Sequence, residues 1–586
     1  MKRGLFIFPL VLFLLLIPLL HAQDQTPQTP YHLKLLAVQE VGDHYEGSDA
    51  DLYLELKEGT GRVFLDTFPV TKMDTQISTR FAKEIACSHF KLDCDKYDFI
   101  YTIKAKSSII GGPSAGAAIA TLTSVALLNL DFDQRVAITG TINSGGIIGP
   151  IGGLKEKLEA ASKINLKQVL IAQGSGNQSL NQSEEIDLVQ YSHTNLSLDV
   201  KEVLNLDDIL FYISGKKITQ QTINLTEDPH YGEIMKGLSN VLCQRTKSIL
   251  TDFETEQLPM EPKVAETVNA RNTNIINATR DGDFYSAASF CFTSNIQLKG
   301  DYYQKSQLSP IGFAEMFAVL NKKVQATQRK LSNQTIESIS DLQTMMIVEE
   351  RLNDAKEQID KYLSQDIPKE DLASSLAYAE ERYFSALSWM QFFTMNGHKL
   401  VINQDVLHNS CLEKLAEAEQ QHQYASLFVG VLPSVGEKIV TAKDALNRSQ
   451  FTLCLTTASQ AKAEANAVLG SIGLDNSSLP GFVDAKGNAA ARIIAENSVE
   501  SKFPILGYSY YRYAKSLQDQ SGYLALVYYE YALEMSDLSI YFPEKVNRIS
   551  FTMPHEYIIL AEGIIIGVLL SLIVFFLKPK KKKRKK

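Results

Sequence analysis

The period of the apolar residues changes once along this chain, and that change most limits the folds open to it. Up to about residue 214, stretches of period two alternate with stretches of helical period. His32-Leu-Lys-Leu-Leu-Ala-Val38 and Asp51-Leu-Tyr-Leu-Glu-Leu56 alternate as half-buried strands do. Asp98 to Ile103, Val136 to Gly140 and Gln168 to Ala172 read as further strands. Ile77 to Cys87, Ser114 to Leu130 and a stretch opened by Gly152-Gly153 and running to about Lys163 read as helices. This alternation predicts a mixed α+β domain over 31–214. From 227 to 548 only the helical period remains. Leu342, Met345, Leu352, Ala355, Ile359 and Leu363 recur at its spacing, as do Leu372, Leu376, Ala379, Tyr383, Leu387 and Met390. Breaks fall near Pro310, Pro433 and Pro480, and tyrosine pairs at Tyr510-Tyr511 and Tyr528-Tyr529 hint at a repeat. An all-α bundle or repeat domain is expected there.

Two end segments stand apart. Met1-Lys2-Arg3 precedes an apolar run from Gly4 to Leu20, and Ala22 offers a small-residue cleavage site, so 1–22 reads as a signal peptide or signal anchor. Tyr557 to Leu577 is apolar apart from Glu562 and predicts a C-terminal transmembrane helix. The polybasic tail 578–586 follows it and is expected on the cytoplasmic side. The expected location is therefore the cell membrane. The chain would be single-pass, or two-pass if the first segment is retained, with both folded domains extracytoplasmic and membrane lipids as partners. The six cysteines are an even number, as disulfides require. Cys87 and Cys94 are close enough in sequence to pair; the pairing of Cys243, Cys291, Cys411 and Cys454 stays open. The net charge of −9 gives no reason to expect nucleic acid as a partner.

The segment that carries chemistry is Gly111-Gly112-Pro113-Ser114-Ala115-Gly116. Glycines let a backbone approach a substrate closely. A serine at a helix start lies beside free N–H groups that can hold an oxyanion, and it becomes a nucleophile once a base reaches it. The same G-x-S-x-G letters fit a Ser-His-Asp esterase elbow, for which His193 and His230 stand downstream. A second segment, Gly149-Pro-Ile-Gly-Gly-Leu-Lys155-Glu-Lys157-Leu-Glu-Ala-Ala161, puts Leu154, Lys157, Leu158 and Ala161 on one helical face. Lys155 pairs instead with Glu159 at i,i+4. Lys157 therefore points along the apolar side, where desolvation lowers an amine's pKa and fits it to act as a base.

Gly112-Pro113-Ser114-Ala115-Gly116, Thr139-Gly140 and Pro150-Ile-Gly-Gly-Leu-Lys-Glu-Lys157 together resemble the proteolytic domain of Lon proteases. The resemblance covers about 31–214. It implies Ser114 as nucleophile and Lys157 as general base, supported by Thr139, Gly112, Pro113 and Ala115, with no cofactor and no metal. Two positions depart from the family pattern: Gly111, where many members carry an acid, and Thr141, where many carry glutamate. No G-x-x-x-x-G-K-[ST] phosphate loop occurs in these residues. The function expected is a membrane-anchored, ATP-independent serine endopeptidase acting on protein or peptide substrates; the resemblance further implies a ring-shaped homo-oligomer, often a hexamer in the family. An idle scaffold with a helical interaction domain is the alternative.

Overall fold

The computed structural model describes residues 30–41, 44–68, 70–105, 112–181, 184–218, 224–306, 308–471, 479–543 and 563–572. The chain divides into two units, Met1–Pro543 and Glu544–Lys586.

The first unit begins with a four-stranded sheet of order β1-β2-β4-β3. It is built from β1 (Tyr31–Val41), β2 (His44–Glu58), β3 (Val63–Phe68) and β4 (Tyr97–Ala105). β2 is antiparallel to β1 and β4, and β3 lies parallel to β4 on the edge. The inward positions Leu33, Leu35, Leu52, Leu54, Phe99, Tyr101 and Ile103 are buried, as the period-two reading requires. They pack against α1 (Met73–Phe90) and α2 (Gly116–Leu128). α2 carries no charged residue and is buried from Gly116 through Ala126, as expected of a helix enclosed on every side.

Next, β5 (Val136–Thr139) turns at Gly140 into a short hairpin, β6 (Thr141–Asn143) and β7 (Ile147–Gly149). α3 (Leu154–Lys163) then returns the chain to β8 (Gln168–Ala172). β9 (Asn177–Asn181), β10 (Glu184–Asp187), α4 (Leu188–Asn195), β11 (Asp199–Val203) and α5 (Leu206–Ser214) follow. β11, β8 and β5 form a parallel sheet. Parallel neighbours need a crossover, and α3 supplies one. A crossover helix starts at the end of the strand it leaves, so the first turn of α3 faces the end of β5.

The rest of the unit is helical: α6 (Pro229–Thr255), α7 (Pro262–Arg280), α8 (Phe284–Lys305), α9 (Pro310–Leu331), α10 (Ile339–Leu363), α11 (Leu372–Trp389), α12 (Gln404–Val429), α13 (Pro433–Asn447), α14 (Phe451–Ser471), α15 (Leu479–Val499), α16 (Ile505–Leu517) and α17 (Gly522–Ser536). Pro310 and Pro433 begin helices, where the missing N–H costs nothing. Of the predicted apolar stripes, Leu342, Met345, Leu352, Ala355 and Ile359 are buried, while Leu363 and Leu387 are exposed. Disulfides join Cys87 to Cys94, Cys243 to Cys291 and Cys411 to Cys454. The helices also pack on the α/β layers: Ala425 of α12 and Leu469 of α14 share a core with Leu154, Leu158 and Ala161 of α3.

A buried ionic cluster pins this contact. Lys414 Nζ lies 3.1 Å from Glu417 and 2.9 Å from Glu534, and Lys462 Nζ lies 2.9 Å from Glu417 and 3.1 Å from Glu534. The Tyr541 hydroxyl donates to Glu417 at 2.7 Å. Phe81 of α1 lies beneath both ammonium groups, its ring centroid 5.6 Å from Lys414 Nζ and 4.2 Å from Lys462 Nζ.

The membrane expectation is corrected. Among the described residues no helix is long and apolar enough to cross a membrane. Within 557–577 only residues 563–572 are described, and they are helical. The predicted membrane location, with its outward-facing domains, inner tail and lipid partners, is therefore not supported by any described helix. The predicted signal segment 1–22 and polybasic tail 578–586 lie outside the described residues.

Removing one partner of a buried ionic cluster leaves the others desolvated without compensation, which costs about 3–5 kcal/mol. Glu534→Leu is accordingly expected to lower stability by that order, seen as an earlier midpoint in urea unfolding.

Candidate active site

Three local structures position the predicted residues. β4 ends at Ala105, and the described chain resumes at Gly112. Gly112 has φ +96°, a conformation that L side chains rarely adopt. It leads into a single 3₁₀ turn, Pro113–Ala115, which runs directly into α2. Ser114 sits in the middle of that turn and is half-buried, as is Ala115. Gly111, one of the two departures from the family pattern, lies outside the described residues.

The second structure is the turn from β5 to β6. Gly140 N–H donates to the Ser114 carbonyl at 3.1 Å, and Ala117 N–H donates to the Gly140 carbonyl at 3.1 Å. These two bonds staple the serine turn to the strand end. Gly140 has no room for a side chain: a Cβ would lie 2.6 Å from Ile148 Cγ2. Thr139, immediately before it, is fully buried.

The third is the first turn of α3. Gly153, at φ +63°, caps it, and a Cβ there would meet Val38 Cγ1 at 2.6 Å. The helix buries Leu154, Lys157, Leu158 and Ala161, the face read from the spacing, and leaves Lys155 paired with Glu159 at 3.6 Å. Lys157 is 3% exposed, and its Nζ lies 3.4 Å from Thr139 Oγ1. Burial alone pulls its amine down to about 7. A charged amine is poorly solvated there, so near neutral pH much of it is free base. Ser114 and Lys157 are thus brought to consecutive residues of one strand end, the first through the Gly140 backbone and the second through the Thr139 hydroxyl.

His193 and His230, the esterase candidates, are both exposed, near the end of α4 and the start of α6. A buried histidine missed in the sequence is His89 of α1. Its Nε2 lies 2.7 Å from Asp207 Oδ2, and its ring leaves Gly146 no room for a side chain. Arg492 of α15 binds the same ring at 2.9 Å and donates to the Gly145 carbonyl at 2.7 Å. Together they hold the β6–β7 turn. Asn143 was also missed: its side chain takes a bond from Gln421 of α12 at 3.3 Å. Neither signal is readable in sequence, because the partners stand hundreds of residues away. Among the described residues no cluster of His, Cys, Asp or Glu could hold a metal.

Residues 92–213 match the Lon protease (S16) C-terminal proteolytic domain. The chain is 27% identical over 161 residues to Lon protease of Methanosphaera stadtmanae, covering 27% of this chain and 18% of that protein. It is 29% identical over 132 residues to archaeal Lon protease of Halobacterium salinarum, covering 21% and 19%. It is 44% identical over 77 residues to Lon protease of Buchnera aphidicola, covering 13% and 10%. The chain therefore spans less than a fifth of the length of each of these relatives, and the family-matched segment 92–213 contains Ser114, Thr139 and Lys157. Over residues 92–213 the chain is thus similar to the proteolytic domain of Lon proteases.

Proposed function

We propose that this chain is a serine endopeptidase in which Ser114 is the nucleophile and Lys157 the general base. The observation that carries the reading is the buried amine of Lys157, held against Thr139 one residue from the Gly140 staple of the serine turn. A lysine with a carboxylate partner would stay charged; this one is lowered by burial and has a lone pair to offer near pH 7. It takes the proton of Ser114 Oγ–H as that oxygen attacks a peptide carbonyl. The tetrahedral oxyanion is held by amide N–H groups at the start of α2. Collapse expels the amine, which takes the proton from Lys157. Water, deprotonated by the same lysine, then releases the acyl group. Thr139 fixes the direction of the lysine lone pair.

Without a phosphate-binding loop in these residues, the substrates proposed are extended or loosely folded polypeptides, cut without ATP. Self-assembly into a ring, which the family resemblance implies, belongs to the same proposal.

The purified 586-residue chain is expected to hydrolyse casein without ATP. Ser114→Ala and Lys157→Ala should each lower the rate by about a thousandfold or more. Equal cleavage by Ser114→Ala would sink the nucleophile, and an inert wild-type chain of the correct size would favour a scaffold. Because the base must be neutral, kcat should climb as pH rises through about 7 and level off above.

The same burial has a stability signature. An unfolded lysine holds its proton to about pH 10.4, so the unfolded state binds the extra proton between about 7 and 10.4. The fold is therefore weaker on the acid side of that window, by about 4 kcal/mol at pH 7. Lys157→Met lacks this penalty. It should unfold at a higher temperature than wild type at pH 7, with the gap closing towards pH 10; a lower midpoint would contradict a desolvated amine.

A further inference from the structure

The sequence leaves the role of the helical array open; the contact it makes beneath the serine turn assigns one. β6 runs directly under that turn. A Cβ on Gly116, the first residue of α2, would lie 3.2 Å from Ile142 N and 3.0 Å from Ile142 Cγ2. β6 also continues the strand end that meets both Ser114 and Lys157, since Thr141 follows Gly140. Any shift of β6 is therefore passed to both groups.

What holds β6 from the far side is α12. Gln421 Nε2 donates to Asn143 Oδ1 at 3.3 Å, and Asn143 Nδ2 donates to Thr141 Oγ1 at 3.3 Å. A small space of about 20 Å³ lies at this join, with Gly116, Thr141 and Ile142 on one side and Glu417, Gln420 and Gln421 on the other. Gln420 and Gln421 line it, and each carries a buried amide atom, Gln420 Nε2 and Gln421 Oε1, with no hydrogen-bond partner among the described residues. A buried amide without a partner is costly, and a space of this size holds one water. Water accepting from Gln420 Nε2–H and donating to Gln421 Oε1 satisfies both.

The platform behind these glutamines does not slide. Glu417, one turn earlier on α12, is locked between Lys414 and Lys462 and takes the Tyr541 hydroxyl. Thr141 is one of the positions at which the family pattern departs, and it is buried against this face. A carboxylate there would be buried beside Glu417, so the smaller neutral residue and the docked helix go together.

We propose that Gln420 and Gln421 of α12 are positioning residues for the Ser114–Lys157 pair, acting on β6 through Asn143 and through a bound water. This rests on the endopeptidase reading above. The helical array is then part of the frame of the active site.

The test uses the full chain and three variants, Gln421→Met, Gln420→Met and Asn143→Ala, with casein hydrolysis and the labelling rate of Ser114 by a fluorophosphonate probe. Gln421→Met keeps the length and packing of the side chain and removes its polar end. Expected are a fall in kcat of about tenfold or more with KM within twofold, slower labelling of Ser114, and an upward move of the pH midpoint of kcat as the Lys157 pocket loosens. Asn143→Ala, which breaks the same bond from the other side, should reproduce the kcat loss. A lower unfolding temperature with kcat, labelling and pH midpoint unchanged would overturn the proposal, leaving the glutamines as packing alone. Should Gln421→Met not fold, the same readouts on Gln420→Met and Asn143→Ala decide it. A crystal structure of the unaltered chain supplies an independent check: ordered water between the two amides supports the proposal, and direct contact between them counts against it. If the wild-type chain itself shows no Ser114-dependent hydrolysis or labelling, the endopeptidase reading fails, and the positioning role fails with it.

Discussion

The exclusion of water from one amine governs this site. A solvated lysine is charged near neutral pH, and in the role proposed for Lys157 a charged amine could not take a proton from Ser114. The fold encloses it, and enclosure explains features that otherwise look unrelated. Gly153 must be glycine so that α3 can start tightly against Val38. Gly47 of β2 must be glycine because the backbone of α3 at Glu156 fills the space of a side chain. Leu154 and Leu158 flank the amine, and Ala425 and Leu469 of the helical array close the same core. The hydroxyl of Thr139 remains as a partner that does not restore the charge.

Much of this was legible in the sequence. The helical spacing of Leu154, Lys157, Leu158 and Ala161 separates the enclosed lysine from Lys155 without any structure, because only one face of a short helix can turn inward. Strands with clean alternation were readable for the same reason. β3 was not: in Val63-Phe64-Leu65-Asp66-Thr67-Phe68 apolar residues lie on both sides, and Phe64 and Phe68 face solvent. Stripes also overran at helix ends, where Leu363 and Leu387 keep the period but have nothing to cover them. The predicted membrane span failed on a different count. Apolar letters run through 557–577, but among the described residues no helix is long and apolar enough to cross a membrane.

The unreadable part consists of contacts whose partners are remote. Arg492 on His89 and Gln421 on Asn143 join elements from opposite ends of the first unit. No local period encodes such pairs. They are polar and buried, so they contribute less to net stability than to choosing one docking arrangement among several of similar apolar area. An apolar surface tolerates sliding, whereas a buried amide or ammonium displaced by a few ångströms loses its partner outright. The Lys414–Glu417–Lys462–Glu534 cluster has this character, and we assign its role here to register rather than to bulk stability.

The separation of Asn143 and Gln421 has a consequence in time. They stand 278 positions apart, and a ribosome adding about 5–20 residues per second takes roughly 14–56 s to pass from one to the other. During that interval the nascent chain carries its serine turn and its lysine helix but not the helix that braces them. Glu534 and Tyr541, which anchor that brace, are made later still. On the endopeptidase reading, the braced form of the Ser114–Lys157 pair is therefore completed only after the segments that carry the two residues have long been made.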